Sequence, residues 1–152
     1  MPDFRTADEI LDFAIRREEE AAQFYVEQAD KMNHPATRQV FLDFAKEEIV
    51  HKEKLTAVKN GRHPMAPPQK IANLKIADYQ SASPQVGPYM TYAEMLQVAM
   101  QKEKEAFRLY SDLAAAVDST ELRTLFQGLA NEEAKHKLRF ELEYDKELSG
   151  EN

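Results

Sequence analysis

The chain has 152 residues, with 43% hydrophobic, 31% charged and only 4 Gly. That is enough for one ordinary domain, which at this size buries roughly 70% of the surface its unfolded chain exposes. Abundant Ala, Glu, Lys, Leu and Gln favour an all-helical protein. A formal charge of -7 argues against binding to nucleic acid or to an anionic membrane surface, both of which call for a basic face. No apolar run reaches membrane-spanning length, and the opening MPDFRTADEI has neither the basic start nor the apolar stretch of a secretion signal, so a cytoplasmic protein is expected. The absence of Cys removes disulfides, thiolate zinc sites, iron-sulfur clusters and cysteine nucleophiles, leaving oxygen and nitrogen to hold any metal.

In chain order, the first helix is predicted from Ala7 to Met32, opened by a capping box in which Thr6 and Glu9 satisfy free amides at the helix start. It breaks at Asn33-His34-Pro35, where proline suits the first turn of a second helix that ends near Asn60-Gly61, a left-handed stop. Residues 61–90 hold most of the prolines (Pro64, Pro67, Pro68, Pro84 and Pro88) and no sustained helical period beyond a short turn near Ile71 to Ala77. They read as a linker. A third helix opens on a second capping box, Thr91 with Glu94, and a fourth restarts at Asp118 with Glu121 and stops near Ser149-Gly150.

The two halves repeat at an offset of 85 residues without a gap. Thr6/Thr91, Glu9/Glu94, Leu11/Leu96, Ala14/Ala99, Glu18/Glu103, Ala21/Ala106, Tyr25/Tyr110 and Ala29/Ala114 coincide, followed by Arg38/Arg123, Phe41/Phe126, Ala45/Ala130, Glu48/Glu133 and His51/His136. The chain is therefore expected to be a single domain, 1–152, built as a helical hairpin over about 6–60, a crossover linker over 61–90 and a second hairpin over about 91–149. Helices of this size are each roughly 38 Å long, and the linker is long enough to return the chain along their whole length.

Stepping three or four residues along each helix gives the face turned to the core. The first helix shows Leu11, Ala14, Glu18, Ala21, Tyr25, Gln28 and Met32, and the third Leu96, Ala99, Glu103, Ala106, Tyr110, Leu113 and Val117. The second shows Phe41, Phe44, Glu48, His51 and Leu55, and the fourth Leu122, Phe126, Leu129, Glu133, His136 and Phe140. One carboxylate interrupts the apolar run on helices one and three, and Glu-x-x-His interrupts it on helices two and four. Four carboxylates in a core cost several kcal/mol each if left charged and unpaired. Two divalent cations would balance them with neutral His51 and His136, and no Lys or Arg stands on these stripes. The candidate metal ligands are therefore Glu18, Glu48, His51, Glu103, Glu133 and His136. A carboxylate and imidazole set suits Fe or Mn, and a pair of such ions can deliver two electrons to an O–O bond, whereas zinc would bind without redox chemistry. The small Ala14, Ala21, Ala99 and Ala106 leave room for the cluster. Tyr25 and Tyr110 lie on the ligand face, where their hydroxyls could bond a carboxylate. Glu19, Glu20, Glu47, Glu105 and Glu132 fall off the stripe and are expected on solvated faces. His34 and His63 read as loop residues, and Lys52, Lys137, Arg38 and Arg123 as partners in surface ion pairs.

A Glu followed thirty residues later by Glu-x-x-His, present twice with Tyr seven after the first Glu, resembles the rubrerythrin-like branch of the ferritin-like di-iron carboxylate proteins. The resemblance implies an all-α, ferritin-like four-helix bundle made of the two hairpins. It implies two iron ions, with Glu18 and Glu103 terminal, Glu48 and Glu133 bridging, and His51 and His136 each capping one metal. It implies an oxidoreductase that reduces hydrogen peroxide or dioxygen, a peroxidase protecting against oxidative stress, and a homodimer. Two departures stand out. Without Cys the chain lacks the rubredoxin domain that feeds electrons to such sites, so an external donor such as a rubredoxin-like protein or a small reductant is required. Ala106 also stands where family members carry a further Glu three residues after the third-helix ligand, the residue through which a ligand exchange would run. The alternatives are a ferroxidase or other iron-handling protein and a metal-stabilised, non-enzymatic bundle.

Overall fold

The computed structural model describes residues 7–62 and 91–150, which divide into two compact units of one helical hairpin each. In the first, α1 spans Ala7–Asp30 and α2 Pro35–Ala57. In the second, α3 spans Tyr92–Ala116 and α4 Thr120–Ser149. No strand occurs among the described residues. Thr6, His63 and residues 63–90, which hold the first capping-box hydroxyl, most of the predicted linker and its short turn, lie outside them.

Each helix ends for a local chemical reason. The last amides of α1 tighten onto shorter bonds, Lys31 N to the Gln28 carbonyl at 3.1 Å and Met32 N to that of Ala29 at 3.0 Å, closing the helix two residues before the predicted Met32. Pro35 then takes the first position of α2, where its missing N–H costs nothing and its fixed φ is already helical. Beyond α2 a wide five-residue turn, Val58–Arg62, carries Gly61 at φ 82°, and α4 stops at Gly150 with φ 78°; both are left-handed positions open to glycine without strain. The α3 capping box is formed as predicted: Glu94 N donates to Thr91 Oγ1 and Thr91 N to Glu94 Oε1, each at 3.1 Å. The start of α4 differs. Its cap is Ser119 rather than Asp118, with Leu122 N donating to Ser119 Oγ at 3.3 Å.

Both hairpins are antiparallel. In the first, Asp12 meets Lys59, Glu19 meets Lys52 at 3.0 Å, and the Tyr25 ring lies 6.2 Å from that of Phe41. In the second, Tyr92 meets Glu143 and Gln97 meets Tyr144, the latter at 2.9 Å. The 85-residue register extends into the hydrogen bonding of the two turns. Arg38 Nη2 donates to the Met32 carbonyl at 3.0 Å, and Arg123 Nη2 to the corresponding Val117 carbonyl at 3.4 Å. These repeated arginines, expected in surface ion pairs, satisfy carbonyls at the end of the preceding helix instead, because each follows the turn by one helical revolution and folds back over it. Lys52 and Lys137 do form surface ion pairs, with Glu19 and Glu141.

The predicted faces are the buried ones. Leu11, Ala14, Tyr25, Phe41 and Leu55 in the first hairpin, and Leu96, Ala99, Ala106, Tyr110, Leu113, Leu122, Phe126, Leu129 and Phe140 in the second, are buried, while Phe44 and Met32 are half-buried. Helix α3 also buries a second stripe, Val98, Glu105, Leu109 and Ala116. Glu105 is therefore not on a solvated face: it is 8% exposed and accepts a hydrogen bond from Gln101 Nε2 at 3.1 Å. Glu19, Glu20 and Glu47 are exposed as expected, whereas Glu132 is half-buried and pairs with Lys135 at 3.4 Å. Near the far end of the second hairpin Tyr92 donates to the buried Glu143 at 3.3 Å, with Arg139 3.5 Å from the same carboxylate. Burial, followed by the charge of Glu143, pushes the Tyr92 hydroxyl well above its usual range. Because the Thr91 cap supplies a partner for an otherwise free helix-start amide, Thr91→Ala is expected to lower stability by about 1 kcal/mol, and Thr91→Ser to restore most of it, in urea unfolding.

Candidate metal centre

Three ligand candidates meet within each hairpin. In the first, Glu18 comes from the middle of α1 and Glu48 and His51 from one turn of α2, where a spacing of three residues keeps both on one face. One ligand atom from each lies within 4.8 Å of those of the other two. His51 Nδ1 stands 3.7 Å from Glu18 Oε2 and 3.9 Å from Glu48 Oε2. The second hairpin repeats the arrangement with Glu103 from α3 and Glu133 and His136 from α4, again within 4.8 Å, and His136 Nδ1 stands 3.6 Å from Glu103 Oε1.

These distances decide what kind of contact the groups make. An N–H···O hydrogen bond ends near 3.2 Å, and the Nδ1–carboxylate separations of 3.7, 3.9 and 3.6 Å are longer than that. Metal bonds of about 2.1 Å set neighbouring donors roughly 3 to 4 Å apart, the spacing seen here. The residues also fit a metal in their chemistry. Glu18, Glu48, Glu103 and Glu133 are 0% exposed, and His51 and His136 are 3% and 2% exposed. Such carboxylates are hard oxygen donors removed from water, and an imidazole beside them completes a set suited to iron or manganese. Tyr25 and Tyr110 are fully buried. Tyr25 packs in an aromatic group, its ring 5.5 Å from Phe24 and 6.1 Å from Phe44. His34 is exposed at the start of α2, apart from the ligand group.

One residue at the site escaped the sequence reading. Arg17, 11% exposed, places Nη1 3.7 Å from Glu18 Oε1. It is off the ligand stripe by one position, and the signal that could have found it is the repeat, since the 85-residue register sets a second cation, Lys102, immediately before Glu103. Arg17 contributes to the electrostatics of Glu18. Burial raises that carboxyl, but polar contact with Glu48 and His51 and the charges of Arg17 and His51 outweigh it, bringing Glu18 from an ordinary 4.5 down to about 2.

The rubrerythrin family model matches residues 9–144. The chain belongs to the rubrerythrin family. Two solved structures share its fold. One is a Thermotoga maritima protein described as a ferritin-like diiron-carboxylate protein, with 20% identity and a TM-score of 0.75 over 97% of this chain and 99% of that one. The other is a hypothetical protein from Pyrococcus furiosus, with 23% identity and a TM-score of 0.75 over 95% of this chain and 91% of that one. No curated protein matches. The fold is thus the all-α, ferritin-like four-helix bundle that the duplicated hairpins predict. No described helix is long and apolar enough to cross a membrane.

A depressed carboxyl stabilises the fold above its unfolded value, and that stability is lost as pH falls through the folded value. With metal removed by a chelator, the protein is expected to lose stability between about pH 4.5 and about pH 2, the window set by Glu18. Glu18→Gln should flatten this part of the profile when urea midpoints are measured across it.

Proposed function

We propose that this chain is a di-iron oxidoreductase of rubrerythrin type, in which Glu18, Glu48, His51, Glu103, Glu133 and His136 hold two iron ions and hydrogen peroxide or dioxygen is reduced. The observation that carries the reading is the pair of Glu, Glu and His triads, alike in geometry, with imidazole 3.7 Å from carboxylate in one hairpin and 3.6 Å in the other. Membership of the rubrerythrin family supports it.

By the family resemblance Glu18 and Glu103 would serve as terminal ligands and Glu48 and Glu133 as shared ones, with His51 and His136 each completing the set for one metal. When bound, the irons supply the two electrons that cleave an O–O bond. The helices keep the six side chains in a fixed arrangement on otherwise apolar faces, so water is excluded and little reorganisation accompanies a change of oxidation state. To Tyr25 and Tyr110, fully buried on the faces that bear Glu18 and Glu103, we assign the role of bonding the terminal carboxylates and passing a proton. We assign electron delivery to a rubredoxin-like protein or a small reductant, a reading in keeping with the lack of Cys in these 152 residues.

Anaerobic titration of the metal-free protein with Fe²⁺ should saturate at two ions per chain, and addition of peroxide should then produce the near-ultraviolet absorption of a ferric pair. Glu133→Ala should abolish that absorption, while Glu132→Ala, altering the half-buried neighbour that pairs with Lys135, should preserve it. Saturation far from two ions, or the reverse pattern in the two variants, would overturn the assignment. Tight zinc binding with no reaction of the iron form toward peroxide would favour the metal-stabilised bundle instead.

A further inference from the structure

Helix α4 buries Phe126, Glu133, His136 and Phe140 on one face, and its opposite face carries a second stripe that is exposed. Leu138 and Leu142 lie on it, 54% and 50% exposed. A single exposed leucine is ordinary on a protein surface, but these two are framed by charges of opposite sign. Lys135, Leu138, Leu142 and Asp145 follow one another at intervals of three, four and three residues, the spacing of a seam along which one helix meets another. All four are exposed. The stripe is also self-complementary. Laid antiparallel against a second copy about a two-fold axis level with Phe140, each α4 sets its Leu138 opposite the partner's Leu142 and its Lys135 opposite the partner's Asp145, and the symmetry repeats both contacts. One register thus matches every member of the stripe, apolar with apolar and cation with anion. A parallel pairing would set lysine against lysine and aspartate against aspartate.

We infer that this outer face of α4 is the docking surface for a second copy of the chain, held antiparallel in that register. Association takes the leucines of both chains out of water, which supplies the attraction, and the paired Lys and Asp at the two ends of the seam select direction and register. Lys135 is available for the new contact. Its own-helix contact with Glu132 is 3.4 Å long between side chains 72% and 40% exposed, a surface pair of the kind that contributes little. The like charges that the axis brings near one another, Arg139 and Glu141, are each paired on their own helix, Arg139 with Glu143 at 3.5 Å and Glu141 with Lys137. A seam of one helix from each chain belongs with interfaces under about 1,200 Å², whose complexes are weak and exchange, so dissociation falls in the micromolar range. The stripe contains no candidate metal ligand, and the inference stands apart from the di-iron reading.

Sedimentation of the full chain over micromolar to millimolar concentrations should show a reversible equilibrium between monomer and dimer. Leu142→Glu, which sets a carboxylate against the partner's Leu138, should weaken association by about tenfold or more. Lys135→Asp and Asp145→Lys should each weaken it, because like charges then face each other at both ends of the seam, and the double variant Lys135→Asp/Asp145→Lys should recover what the single ones lose. All three positions are exposed, and an unchanged helical circular dichroism spectrum separates loss of docking from loss of fold. Because the chain has no Cys, register can also be read directly: on oxidation, Leu138→Cys chains mixed with Leu142→Cys chains should form the mixed disulfide in preference to either symmetric one. A monomer at every concentration, a dimer unmoved by Leu142→Glu, a double variant no better than its parents, or a preference for the symmetric disulfides would each overturn the inference.

Discussion

Charge buried on helical faces that are otherwise apolar is the constraint on which the rest of this protein depends. A carboxylate removed from water loses hydration worth several kcal/mol, and four of them, Glu18, Glu48, Glu103 and Glu133, are 0% exposed. An isolated carboxylate in such a place would take up a proton. Each hairpin sets its carboxylates beside an imidazole, with Nδ1 3.7 Å from Glu18 and 3.6 Å from Glu103, a spacing suited to common coordination of an ion. Two divalent cations would balance that charge in a folded interior, and metal binding would then be coupled to folding.

The hairpins exist to present that charge. Helical periodicity brings Glu and His three residues apart onto one face, and the antiparallel turn sets Glu18 opposite His51 and Glu103 opposite His136. The turns are fixed independently of the site by Pro35, by the Ser119 cap and by Arg38 and Arg123, which reach back to the carbonyls of Met32 and Val117. Because the same offset of 85 relates the six candidate Glu and His ligands and the turn arginines, duplication has preserved the frame along with the candidate site. The halves have since diverged around it. Pro35 and Ser119 start equivalent helices by different means, one by a fixed φ and one by a hydroxyl acceptor, and Arg17 and Lys102 set different cations before equivalent ligands.

Ala106 illustrates how local sequence limits the chemistry. It is fully buried on the ligand face of α3, one turn beyond Glu103, and offers no donor atom. The carboxylates available for coordination on that helix face are reduced to Glu103. The other acid nearby, Glu105, is buried on the second stripe of α3 and engaged by Gln101.

Most of the fold and the burial of the six candidate ligands could be read from the sequence, because both depend on short-range periodicity: a stripe of apolar residues, its interruption by Glu or Glu-x-x-His, a capping box at Thr91 and glycine at positions 61 and 150. The helix phase followed from spacing alone, and the duplicate supplied an internal check on it. What required tertiary structure was everything that depends on how a second helix packs against the first. Glu105 lost its water because α3 buries two stripes, and a single-stripe reading could not register the second. Arg38 and Arg123 were legible as repeated cations, but only the folded turn brings their guanidinium groups to carbonyls six residues back. Arg17 stands next to a ligand in sequence, yet whether it faces Glu18 or solvent is a matter of side-chain direction. Periodicity fixes the direction of the Cα–Cβ bond; the choice of rotamer beyond it is made by packing and by the field of neighbouring charges.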